Sequence, residues 1–178
     1  STYEKTIEQE GWSKQLFDQV FDYLKTDPAG ARLVQDLKID YLDDLTPEQA
    51  VKVSVGTVQG LSKYSYDQTE LDGNGRADNL TTMELLQEGR ARQNDKEWTG
   101  NGVCRNIAAN ISAVFQGLKD NQADKNRLRN TYVVTTQGYD GDGYSNTFND
   151  PSSSRPIGHA WNTFVTVDAH GSTNMTIV

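Results

Sequence analysis

Gly102-Val103-Cys104-Arg105-Asn106-Ile107-Ala108-Ala109-Asn110-Ile111-Ser112-Ala113-Val114-Phe115-Gln116-Gly117-Leu118-Lys119 is the stretch on which the reading of this chain turns. Ile107, Ala108, Ile111, Phe115 and Leu118 recur at three- and four-residue spacing, the signature of one apolar helix face. The helix they predict runs from Cys104 to about Lys119, is entered through Gly100 and Gly102, and carries the sequence's single cysteine in its first turn. A thiol there feels the partial positive charge and unsatisfied N–H groups of the helix terminus, which favour the thiolate. The same N–H groups suit the oxyanion of an acyl transfer. The competing reading is that Cys104 is only a small buried apolar residue.

Downstream, Asn130 to Thr136 is β-branched and reads as a strand, and Gly138 to Pro156 is a long Gly/Asp/Ser/Asn loop. Ala160 to Val167 then alternates in the strand manner, opened by Gly158-His159-Ala160-Trp161-Asn162. Alternation puts His159 on the face of Trp161, Thr163, Val165 and Val167. A histidine at a strand start beside a long loop suits a general base at a cleft edge; the alternative is a structural histidine. His170 falls in a polar turn. After the turn at Asp168 to Asn174, Met175 to Val178 begins another strand.

Upstream the chain is helical. Ile7, Trp12, Leu16, Phe17, Val20, Phe21 and Leu24 predict a helix from about Thr6 to Lys25, and Ala31, Leu33, Val34 and Leu37 a second from Ala29 to Ile39. Thr46-Pro47-Glu48-Gln49 is a helix start, with Thr as cap, Pro in the first turn and Gln three residues after the cap. Thr81 to Arg92 is helical again. No Asn occurs in the first 73 residues and 13 occur in the remaining 105, which separates a helical front from a loop-rich back.

Taken together, Gly-Val-Cys104-Arg-Asn at a helix start, followed 55 residues later by His159-Ala-Trp-Asn at a strand start, resembles the transglutaminase-like cysteine-hydrolase superfamily. A Thr-Pro-started helix, a Tyr64-Ser65-Tyr66 segment and a further helix precede the cysteine in keeping with it. The resemblance spans Thr46 to Val178. It implies an α+β fold: a papain/transglutaminase-like core of residues 46–178, its Cys-bearing helix packed on an antiparallel sheet, with residues 1–45 as an amino-terminal helical extension. It also implies Cys104 as nucleophile and His159 as base in thiol-dependent acyl chemistry on peptide or glutamine-type amides, through a thioester. The family places a carboxylate on the strand returning from the histidine strand. With a hairpin turning near residues 170–171, the partners of His159 to Trp161 lie about 20 residues beyond the histidine, just past Val178. Asp168 then reads as a turn residue rather than the third member.

For the second oxyanion donor the candidates are the Trp98 indole N–H and the Asn101 amide, each with loop packing as its alternative. Asp72, Asn74 and Asp78 are spaced like calcium ligands, but Arg76 takes an interior ligand position and Met83 stands where the terminal glutamate belongs, so a polar turn is preferred. No cofactor is required by this chemistry. Three Asn-x-Ser/Thr triplets occur at Asn79, Asn110 and Asn174, with Asn110 inside the predicted cysteine helix. The net charge of −8 argues against a nucleic-acid or anionic-membrane partner, and no apolar run approaches the ~20 residues of a bilayer span. The expected partner is a peptide or protein substrate, and the Asn/Thr/Ser/Gly-rich acidic back half leans towards an extracytoplasmic bacterial protein. Rival functions are an inactive transglutaminase-like module, a calcium-stabilised interaction domain and a glycoamidase.

Overall fold

Residues 2–64, 80–139, 145–146, 154–155 and 158–178 are described by a computed structural model of the chain. Among them are five helices, α1 (Thr2–Thr26), α2 (Pro28–Leu37), α3 (Pro47–Leu61), α4 (Thr82–Gln93) and α5 (Cys104–Asp120). Local chemistry sets their ends. The Asp27 carboxylate caps α2 by accepting from Ala29 N–H, and Pro28 begins the helix where its missing N–H costs nothing. Thr46 and Gln49 form a reciprocal capping box on α3, as Thr81 and Glu84 do on α4. Lys38 stops α2 in the left-handed conformation, at φ 53° and ψ 48°.

The helices share one core. Leu16, Val20 and Leu24 of α1 cluster with Val53, Val58 and Leu61 of α3, Leu85 of α4, and Ile111, Val114, Phe115 and Leu118 of α5. Residues before 46 are therefore packed directly on those after it. Gly30 permits the tight α1–α2 corner: a Cβ there would stand 2.5 Å from the Tyr23 carbonyl oxygen. Beyond α5, buried Gln122 accepts from Leu45 N–H and donates to the Leu42 and Leu118 carbonyls, tying the helix end to the segment before α3.

Five strands follow, β1 (Thr131–Tyr139), β2 (Ser145–Asn146), β3 (Ser154–Arg155), β4 (Gly158–Val167) and β5 (Thr173–Ile177). β1, β4 and β5 form an antiparallel sheet in the order β1-β4-β5, and β2 pairs separately with β3 inside the stretch expected as loop. β1 runs past Thr136 because Gln137, Gly138 and Tyr139 find partners in Ala160, His159 and Gly158. A Cβ on Gly138 would come within 2.8 Å of the Trp161 ring, so glycine leaves that indole its place on the sheet. β5 returns from the Asp168 turn in a register that pairs Val165 with Met175 and Thr163 with Ile177. Asn162 and Val178 then exchange backbone hydrogen bonds of 3.3 and 2.9 Å.

The α+β class and the cysteine helix on an antiparallel sheet are observed as expected. Ala160, Asn162 and Phe164 form the buried face of β4 towards α5, with the Phe164 ring edge-on to Phe115 at 5.2 Å. Helix and strand keep step: four helical residues rise about 6 Å and two strand residues about 6.6 Å. Cys104 accordingly meets Ala160, and Ala108 meets Asn162.

Candidate functional site

The site is built around the first turn of α5. Gly100 and Gly102 enter it at φ 133° and 117°, a region that side chains with a Cβ rarely adopt. At Gly102 a Cβ would also overlap the Asn106 carboxamide. Val103, at the cap position, has no side-chain oxygen to offer, so the cap is made from the other side: Asn106 Oδ1 accepts the Val103 N–H at 3.1 Å. The Asn106 and Ile107 N–H groups return to the Val103 carbonyl. Cys104 is the first helical residue, and its own N–H has no acceptor among the described residues.

The thiol meets the sheet directly. Ala160 N–H donates to Cys104 Sγ at 3.4 Å. Asn162 N–H points from β4 towards β5, where Val178 accepts it, and Ala160 N–H, two residues earlier, points to the same side.

One residue before Ala160, His159 is exposed, and its ring stacks on Trp161 with centroids 5.7 Å apart and planes 25° from parallel. Successive side chains of a strand project to opposite faces, so the imidazole leaves β4 on the side away from α5. Cys104 and the His159 backbone are thus brought together, with the ring resting on Trp161.

Trp98 and Asn101 lie in the segment leading to Gly102. Asn101 is fully buried and committed to the end of α3: its Oδ1 accepts from Lys63 N–H at 2.7 Å and its Nδ2 donates to Ser62 Oγ at 3.3 Å. Trp98 is buried, its carbonyl accepts from Lys63 Nζ, and its indole N–H has no partner among the described residues. Asp168 sits in the hairpin turn, accepting from the His170 and Ser172 N–H groups at 2.8 and 2.9 Å. The positions on the returning strand opposite Trp161, Ala160 and His159 fall after Val178.

Asp72, Asn74 and Asp78 lie outside the described residues, as does Asn79. Among the described residues no group of three His, Cys, Asp or Glu is arranged to hold a metal, and no helix is long and apolar enough to cross a membrane. Asn110 is buried against Thr82, whose hydroxyl donates to it, which leaves no room for a glycan, whereas Asn174 is exposed.

Sequence reasoning assigned no role to Asn162. It is 1% exposed, and its Nδ2 donates to the Ala108 carbonyl at 3.0 Å, to Ser112 Oγ at 2.9 Å and to Thr135 Oγ1 at 3.3 Å. The available signal was its register: in Ala160-x-Asn162-x-Phe164 a carboxamide stands on the inward face of an alternating strand, where burying a polar group is costly unless it is hydrogen-bonded. No protein-family model, curated protein or solved structure matches the chain.

Proposed function

We propose that the chain performs thiol-dependent acyl chemistry on peptide or glutamine-type amides, with hydrolysis ahead of cross-linking, on a papain/transglutaminase-like core. The observation that carries this reading is the 3.4 Å contact between Ala160 N–H and Cys104 Sγ, which joins a helix-start cysteine to the strand that begins with the histidine. His159 takes the thiol proton as Cys104 Sγ attacks the amide carbonyl, and the developing oxyanion is received by the Cys104 N–H, with the Trp98 indole N–H as candidate second donor. Collapse of the adduct breaks the C–N bond. The amine or ammonia leaves with a proton from His159, and a thioester remains. Water, activated by the now neutral imidazole, hydrolyses it to the carboxylic acid and restores the thiol. This cycle requires the His159 ring to leave Trp161 and turn around the start of β4 towards the sulfur.

The test is incubation with a glutaminyl peptide, followed by acid quenching and mass analysis. The expected result is released ammonia and a transient acyl adduct on Cys104, both lost in Cys104→Ala and reduced at least about 100-fold in His159→Ala. A folded protein that gives neither product, on peptides with and without glutamine, overturns the proposal. The stacking of His159 on Trp161, on the opposite face from the thiol, favours a second reading, a transglutaminase-like module that binds without turnover. That reading predicts peptide binding unchanged in Cys104→Ala and no adduct in the native chain.

A further inference from the structure

We infer that Asn162 is the positioning residue of this site: its buried carboxamide sets the reactivity of Cys104 by fixing where α5 lies along β4. The inference rests on Cys104 being a reactive thiol. Asn162 belongs to the strand that donates to the sulfur, two residues beyond Ala160 and on the same inward face. Its three acceptors lie on both elements flanking it, Ala108 and Ser112 on α5 and Thr135 on β1. Ser112 and Thr135 also share a hydrogen bond between their hydroxyls, closing the network across helix and sheet. Cys104, Ala108 and Ser112 are spaced four residues apart, so they form one row along the helix. A helix held at Ala108 and Ser112 cannot slide along the strand or roll on it without moving the sulfur.

Phe115 and Phe164 also join α5 to β4, and apolar contacts of this kind tolerate sliding better than directed hydrogen bonds do. The Sγ contact, at 3.4 Å, is directional, so a shift of the helix along the strand weakens it. Phe115 against Phe164 supplies burial; Asn162 supplies register.

Gln122 provides an internal comparison. It is equally buried, makes three hydrogen bonds through the same carboxamide chemistry, and stands just past the other end of α5. Removing it should cost stability without touching the thiol.

The experiment measures the rate at which iodoacetamide alkylates Cys104 in the folded chain across pH, for the native sequence, Asn162→Ala, Ser112→Ala and Gln122→Ala, with thermal melts alongside. The expected results at pH 7 are a slowing of about tenfold in Asn162→Ala and about threefold in Ser112→Ala, as one hydrogen bond to the sulfur is lost or loosened. Gln122→Ala should melt earlier and keep the native rate and profile. Ser112→Ala retains the carboxamide's other partners and decides the matter if Asn162→Ala does not fold. Native profiles in both Asn162→Ala and Ser112→Ala, or an equal slowing in Gln122→Ala, overturn the inference. If the native thiol reacts no faster than the same thiol in the unfolded chain, the reactive-thiol reading itself fails, a result distinct from either.

Discussion

The places of Cys104 at a helix start and of His159 at a strand start were legible because each is marked by local grammar: a cysteine after Gly-x-Gly at the head of an apolar-striped helix, and a histidine near the head of an alternating strand. The direction of the imidazole was only half legible. Alternation gave the face it shares with Trp161, but which face of β4 meets the helix depends on the packing of Phe164 and Asn162 against α5. Asn101 showed no local sign of being a latch, because its partners Ser62 and Lys63 are about 40 residues away in the chain. Two residues carry predictions of their own. Lys38 holds a left-handed conformation that costs a residue with a Cβ about 1 kcal/mol, so Lys38→Gly should raise the stability by about 0.5–1 kcal/mol in urea unfolding. Asp168 receives two backbone N–H groups at the hairpin turn, so Asp168→Ala should lower stability by about 1 kcal/mol and leave the alkylation rate of Cys104 unchanged. A large loss of thiol reactivity in that variant would mean that Asp168 serves the site.

Helix starts were the most readable elements, because Thr46-Pro47-x-Gln49 and Thr81-x-x-Glu84 satisfy their own first-turn N–H groups. Strand ends were less so. β1 extends to Tyr139 only through its pairing with Gly158 to Ala160, a non-local reward that no window of sequence contains. The junction of α1 and α2 is held to α4 by a bond of the same non-local kind: Arg90 reaches Asp27 with contacts of 2.6 and 3.1 Å, and its guanidinium also meets Gln93. Burial alone would raise the Asp27 carboxyl, but the Arg90 hydrogen bonds and the Ala29 N–H outweigh it and hold the group below the usual carboxylate range. A group so lowered stabilises the fold above its unfolded-state pKa, and that contribution is lost as pH falls through the lowered value. Arg90→Gln should therefore cost about 1 kcal/mol at pH 7, kept small because the guanidinium is 44% exposed, and should flatten the stability profile below about pH 4. Equal acid sensitivity in the two proteins would show that the pair is energetically idle.

At the scale of the molecule, the helical front, the central cysteine helix and the antiparallel sheet follow from hydrophobic period and turn chemistry, and the hairpin at Asp168 fixes the register that carries β5 back towards the histidine. What periodicity does not contain is how the layers lie on one another. That depends on commensurate helix and strand rises and on buried carboxamides, Asn162 at one end of α5 and Gln122 at the other. The layers matter for chemistry because they deliver a strand amide to a helix-start sulfur, and the sequence's single cysteine makes that claim directly measurable. Alkylation of the native chain by iodoacetamide at pH 7 is compared with alkylation of the same chain unfolded in urea, where Cys104 is an ordinary thiol. The helix terminus and the Ala160 N–H predict that folding accelerates the reaction at least about tenfold. A native thiol that reacts more slowly than the unfolded one would make Cys104 a buried apolar residue and contradict the account.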